Sequence, residues 1–261
     1  MVDGVKLVSQ MGEGRHCPLC GGKGFIITER GARKCRCIYG RFNLEKFLNI
    51  PKRFWDADIR KIKSNLCAET SRQIYTYLRG FKTFYDKGIG LLLIGKQGVG
   101  KTYIVTAILK YLYQKYRIRG LFTDTKELSI KLRERFEKGG HSDLVEVLAR
   151  VPVLVLDDLG NEVLTDWYRD ILVGLISQRY NEKKVTFVTT NFYPSFAVGG
   201  IETPSREGVK IVDRSAVRFS SLPQERLLDS RFGSHVVSRL GEMTIPIVVK
   251  GIDQRLKKVL Y

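Results

Sequence analysis

Gly95-Lys96-Gln97-Gly98-Val99-Gly100-Lys101-Thr102 decides the reading of this chain. The eight residues match the phosphate-loop pattern G-x-x-x-x-G-K-[ST] without a departure. Residues 89–94, just before them, form an apolar run of strand length. Just after them, Ile104, Ile108 and Leu112 recur at four-residue spacing, the apolar stripe of a helix. Strand, glycine-rich turn and helix amino terminus together gather backbone N–H groups and a positive dipole end around phosphates. Lys101 would then reach the β- and γ-phosphates of ATP. The Thr102 hydroxyl would ligate magnesium, and Gly95, Gln97, Gly98, Val99 and Gly100 would line the cradle.

A loop of this kind needs an acid at the end of a neighbouring strand. Val153-Leu154-Val155-Leu156-Asp157-Asp158 supplies two. Asp157 is placed to hold the magnesium, and Asp158 to polarise the attacking water as general base. Glu162, four residues beyond Asp158, is a weaker candidate for the base. A further apolar run, residues 185–190, ends in Thr189-Thr190-Asn191. Asn191 can hydrogen-bond the γ-phosphate or position the water; the alternative is a plain turn residue.

Outward from these motifs, strands are expected at residues 89–94, 120–123, 151–156 and 185–190. Helices are expected between them. One opens on Asp124 and Glu127, a capping box, with Leu128, Leu132 and Phe136 on one face, and stops at Gly139-Gly140. Others cover residues 144–148 and 166–179. Alternation of this kind gives an α/β domain, a parallel sheet covered by helices on both sides. Residues 1–40 differ, being rich in Gly and Cys and poor in large aliphatics. The chain therefore divides into a small module, residues 1–45, and a larger domain, residues 46–261. Phe42, Phe47, Leu48, Trp55 and Ile59 give the start of the larger domain a helical spacing interrupted at Pro51.

The 261 residues carry 45 Lys+Arg against 27 Asp+Glu, a net charge of +18. That surplus points to a polyanion partner, nucleic acid first and an anionic membrane surface second. The longest apolar runs are far too short to span a bilayer, and residues 1–6 hold no signal-like apolar segment. Five cysteines are an odd number, four of them crowded into residues 17–37, which favours a reducing cytoplasm over a disulfide scaffold. Cys17-Pro18-Leu19-Cys20 and Cys35-Arg36-Cys37 form a C-x-x-C and a C-x-C. A small hairpin between them would bring all four thiolates to one zinc ion, whose binding would supply folding free energy that so small a core lacks. A redox pair or unbound thiols are the alternatives. His16 is a bystander in this reading, and Cys67 a small core residue.

These residues resemble the AAA+ ATPases, specifically the DnaC/DnaI helicase-loader and IstB transposition-helper group. The similarity begins at Asn49-Ile50-Pro51-Lys52-Arg53-Phe54-Trp55-Asp56-Ala57 and includes the phosphate loop, Leu156-Asp157-Asp158-Leu159-Gly160-Asn161-Glu162 and Thr190-Asn191-Phe192. It ends with His235-Val236-Val237-Ser238-Arg239-Leu240 and Gly251-Ile252-Asp253-Gln254-Arg255. The resemblance implies that Arg239 is an arginine finger acting on a neighbouring subunit's ATP, with Arg231 as rival, and that Arg255 contacts nucleotide. It implies an ATP-dependent homo-oligomer and a fold without a full helical lid. Asp158 departs from the glutamate that many AAA+ proteins carry.

By the same resemblance, the helix bearing Lys126, Lys131, Arg133 and Arg135, followed by Lys138 and His141, would hold single-stranded DNA, with Lys131, Arg133 and Arg135 as contacts. A second basic stretch runs through Arg206, Lys210, Arg214 and Arg218 to Arg226. The expected function is a cytoplasmic ATPase of DNA replication that loads or remodels a replicative helicase. The alternatives are a transposition helper whose partner is a transposase and a nucleotide-gated adaptor with little hydrolysis.

Overall fold

The computed structural model describes residues 25–28, 31–34, 43–62, 67–137, 143–197, 224–251 and 253–254. Cys17, Cys20, Cys35, Cys37, Lys138, His141, the basic residues 206–218 and Arg255 lie outside the described residues, so their expected roles stay with the sequence.

Five parallel strands form the main sheet: β3 (Gly90–Ile94), β4 (Gly120–Asp124), β5 (Val153–Leu159), β6 (Val185–Thr190) and β7 (Thr244–Val248). Their order is β4-β5-β6-β3-β7. Alternate residues of β3 and β5 serve opposite faces: Leu91, Leu93, Val153 and Val155 belong to one apolar cluster, and Leu92, Ile94, Leu154 and Leu156 to the other. Strands buried on both faces read as continuous apolar runs, which is why these two were legible.

The first cluster is covered by α2 (Ala68–Arg79), α3 (Phe81–Asp86) and α4 (Lys101–Tyr116), with Ile74, Tyr77, Ile104, Ile108 and Leu112 buried. The second is covered by α5 (Thr125–Glu137), α6 (Asp143–Arg150), α7 (Asp166–Asn181) and α9 (Ser234–Met243). The short helices α1 (Leu44–Phe47) and α8 (Asp229–Phe232) are the other α-helices among the described residues. Ahead of them, β1 (Phe25–Thr28) and β2 (Gly31–Lys34) pair as an antiparallel hairpin between the two cysteine pairs.

Several expectations are corrected. The interruption expected at Pro51 falls earlier: α1 stops before Asn49, whose φ is +57°, and two short 3₁₀ turns, Lys52–Phe54 and Ile59–Lys61, follow Pro51 in place of a helix. The Asn49 side chain donates to Phe122 O at 2.8 Å, and Phe122 N donates to Leu48 O, so tertiary bonds to β4 override the helical spacing. β5 starts at Val153, not residue 151. Phe136 leaves the buried face of α5 and is exposed, as is Cys67, which sits at the start of α2 against the Thr70 hydroxyl.

Two local features matter below. Between Leu156↔Val188 and Leu159↔Thr190, β5 runs three residues against two of β6, and Asp158 within that bulge has φ +61°. Arg179 of α7 is fully buried. Its guanidinium donates to the carbonyls of Leu148, Ala149, Val151 and Val185 and to Thr186 Oγ1, at 2.7–3.0 Å.

Candidate nucleotide site

The phosphate loop leaves β3 at Ile94 and enters α4 at Lys101. Gly98 and Gly100 have φ of +76° and +99°, the left-handed region that glycine enters without penalty. At Gly95 a Cβ would lie 2.5 Å from Val249 O, so the residue after β7 closes against the loop. These glycines add no side chain of their own to the loop backbone, as an anion cradle requires, although the Asp253 carboxylate lies against Gly98.

Lys101 is buried and gathers the loop around its ammonium group. Nζ donates to Gly95 O and Lys96 O at 2.8 Å each and to Asn191 Oδ1 at 2.6 Å. The Thr102 hydroxyl donates to Asp157 Oδ2 at 3.1 Å. Thr189 Oγ1 donates to Asp157 Oδ1 at 2.7 Å and accepts from Asp158 N at 2.8 Å. Asn191 Nδ2 approaches Asp158 Oδ1 at 3.5 Å, and Asn161 donates to the same oxygen. Lys101, Thr102, Asp157, Asp158 and Asn191 thus lie in one hydrogen-bonded group at the carboxyl ends of β3, β5 and β6. Thr189 joins them; it was visible in Thr189-Thr190-Asn191, but only alternation along β6 shows that it points at the acids.

Burial raises the Asp157 carboxyl to about 6, the Thr189 and Thr102 hydroxyls opposing the shift and the charges of Asp158 and Asp124 adding to it. A carboxyl whose folded pKa lies above its ordinary 3.8 stabilises the fold below about pH 4 and loses that contribution as pH rises through 6. Asp157→Asn should therefore raise stability at pH 7 by about 1–2 kcal/mol and flatten the pH 4–6 dependence of the melting temperature. Thermal melts of both proteins across that range check this.

Glu162 takes a different role from the base considered above. It is buried, and Oε2 accepts from Thr125 Oγ1 and Gly160 N, both at 2.9 Å. Burial raises its pKa. The Thr125 hydroxyl also lies 3.3 Å from Asp158 O, so the first residue of α5 rests on the acid-bearing turn. Arg231, the rival finger, donates from Nη2 to Glu162 O at 2.8 Å and covers the Phe192 ring, both partners lying in the same chain. Arg239 donates to Ser177 Oγ on α7 at 2.8 Å, a contact outside the hydrogen-bonded group of Lys101 and the acids. Past Val249, Gln254 N donates to Gly98 O, and the Asp253 carboxylate packs on Gly98, so the segment that the resemblance singled out meets the phosphate loop.

Of the expected DNA residues, Lys131 pairs with Glu127 at 2.6 Å, and Arg133 borders a shallow groove with Lys126, Ile130, Glu162 and Val163. Arg135 is half-buried in the last turn of α5. Beside them Ile130, Phe136, Val163 and Trp167 are all exposed, with Phe136 and Trp167 in edge contact at 5.1 Å. Among the described residues, no group of three or more His, Cys, Asp or Glu is arranged to hold a metal by itself. No helix there is long and apolar enough to cross a membrane.

Residues 25–196 match the family model described as IstB-like ATP binding protein. The replicative helicase loader DnaI of Bacillus subtilis (strain 168) is 35% identical over 109 residues, 41% of this chain and 35% of DnaI. The insertion sequence IS1162 ATP-binding protein of Pseudomonas fluorescens is 32% identical over 114 residues, 44% of this chain and 48% of that protein. The matched stretches thus span less than half of either relative. A crystal structure of the DnaC helicase loader shares the fold with a TM-score of 0.59 at 33% identity, over 77% of this chain and 100% of that one. With the fold, the phosphate loop and most of its length in agreement, the chain belongs to the IstB-like ATP-binding family.

Proposed function

We propose that the chain is an ATP-dependent DNA-replication protein that binds single-stranded DNA and loads or remodels a replicative helicase. The observation that carries this reading is the join between two surfaces: α5, which starts on the turn of Asp158, also bears the cations and part of the exposed apolar patch. Exposed rings beside cations suit unstacked bases and phosphates.

In this reading Gly95, Gln97, Gly98, Val99, Gly100 and Lys101 hold the ATP phosphates, and Thr102 and ionised Asp157 hold magnesium. The bound metal supplies charge neutralisation on the phosphates. Asp158 accepts the proton of the attacking water, and Asn191 orients it. Arg239, turned away from its own site, serves the next subunit of a homo-oligomer, and Arg255 contacts nucleotide from the segment that already touches Gly98. The four cysteines hold zinc in the module ahead of the domain, and metal content of the purified chain checks that.

Trp167→Ala should weaken binding of a single-stranded oligonucleotide about tenfold, as loss of one stacked base implies. Fluorescence anisotropy at fixed salt measures it, and unchanged affinity removes this patch from the interface. The helicase reading itself is tested by capture from the source cells in the presence of ATP. Recovery of a transposase in place of a helicase would select the second reading, which the match to the IS1162 protein favours. Negligible turnover of ATP with and without DNA would select a nucleotide-gated adaptor.

A further inference from the structure

Because all five strands of the main sheet are parallel, their amino ends lie together at the end opposite the phosphate loop. The segments leading into them are basic. Arg117 and Arg119 precede β4, Lys183 precedes β6, and Lys87 precedes β3; Lys82 of α3 and Lys115 of α4 flank them, and all six are exposed. In the order β4-β5-β6-β3, Arg119 and Lys87 stand three strand spacings apart, roughly 15 Å. Two contacts tie the row together. The Phe81 and Tyr116 rings meet at 5.4 Å, and a Cβ at Gly88 would lie 2.5 Å from Lys183 O. Acids at this end are fewer: Asp86, Glu182 and Glu242 are exposed, and Glu146 is paired with Arg150.

Backbone conformation adds an independent observation. Arg117 and Lys183 end α4 and α7 at φ +58° and +50°. Glycine is the usual residue there, and a larger L-residue costs about 1 kcal/mol. The helix dipole does not explain the choice, because Lys115 and Arg179 already place a basic residue in each last turn. The cost of an unfavoured backbone is thus carried twice for an exposed cation on the same face.

The rings at this end are engaged. Tyr116 packs on Phe81 and Tyr111, Tyr85 packs on Phe81, and Lys115 and Arg117 cover Tyr111, Tyr113 and Tyr116. This leaves phosphates, not unstacked bases, as the matching chemistry, in contrast to the Trp167 patch. We infer that this end of the domain is a second nucleic-acid surface, which takes the sugar–phosphate backbone of duplex DNA through Arg117, Arg119, Lys183 and Lys87. A row of about 15 Å lies along a duplex carrying one charge per about 1.7 Å of axis.

The test is the double variant Arg117→Gly, Lys183→Gly in the full chain, with glycine at both left-handed positions. It should melt at or above the parent temperature. Its affinity for a labelled duplex should fall about tenfold at low salt, with the slope of log K against log salt shallower by about 1.8. Affinity for single-stranded DNA, attributed to Trp167, should change far less, so failure here is distinguishable from failure of the proposed function. Unchanged duplex affinity and slope in the folded variant would overturn the assignment. Duplex binding retained while polyglutamate binding is lost would overturn it too, in favour of an acidic protein surface.

Discussion

Arg179→Met should lower stability by at least about 4 kcal/mol, enough to depress the melting temperature by 10 °C or more. Arg179 is the largest fully buried side chain among the described residues, and it holds carbonyls from the end of α6, the approach to β5 and the first residue of β6. Methionine fills much of the volume and donates nothing, so four buried acceptors lose a charge-assisted partner at once. Burial draws the guanidinium pKa down to about 9, still charged at neutral pH. Arg179→Lys should recover only part of the loss, since one ammonium cannot span carbonyls that a planar fork reaches together. Arg150→Met, removing an exposed ion pair with Glu146, should change stability by less than about 0.5 kcal/mol. Thermal and urea melts of the three variants check the ordering.

Lys101→Ala should raise the dissociation constant for ATP more than a hundredfold while leaving the fold intact. The ammonium is buried at the convergence of Gly95 O, Lys96 O and Asn191 Oδ1, within the loop that would hold the phosphates. A buried charge opposite a phosphate contributes about 3 kcal/mol or more, which corresponds to that fold-change. Of the carbonyls freed by alanine, that of Lys96 belongs to an exposed residue, whereas that of Gly95 is buried and loses its donor, so the melting temperature should fall by several degrees without loss of the fold. Isothermal titration with ATP and magnesium measures the affinity, and retained binding would overturn the phosphate-loop assignment.

The arrangement around Lys101 was legible because its parts are local in sequence: an apolar run, a glycine pattern and a helical stripe, each within one element. What escaped depends on distant contacts. β7 was missed because Pro246 interrupts Thr-Ile-Pro-Ile-Val, and proline argues against a strand interior; at an edge, paired only with β3, its missing N–H is tolerated. Phe136 continues the spacing of Leu128 and Leu132, yet near the end of α5 it is exposed and meets only the edge of the Trp167 ring among the aromatic side chains described, because periodicity carries no information about cover. Glu162 looked like a second base because its spacing from Asp158 was known and its direction was not. Its partners, Thr125 and Gly160, are fixed by the turn.

In a regular strand consecutive side chains face opposite sides of the sheet, so Asp157 and Asp158 would be turned away from one another. The additional residue in β5 and the left-handed backbone at Asp158 break the pleat at that step. Asp157 meets Thr102 and Thr189 while its neighbour turns toward Asn191. Aspartate and asparagine enter that conformation more readily than most other side chains. The shorter second acid is therefore the one this backbone selects. A glutamate at position 158 would gain a methylene of reach against about 1 kcal/mol of conformational cost. Acid length at position 158 is, in this chain, a property of strand geometry before it is a property of chemistry.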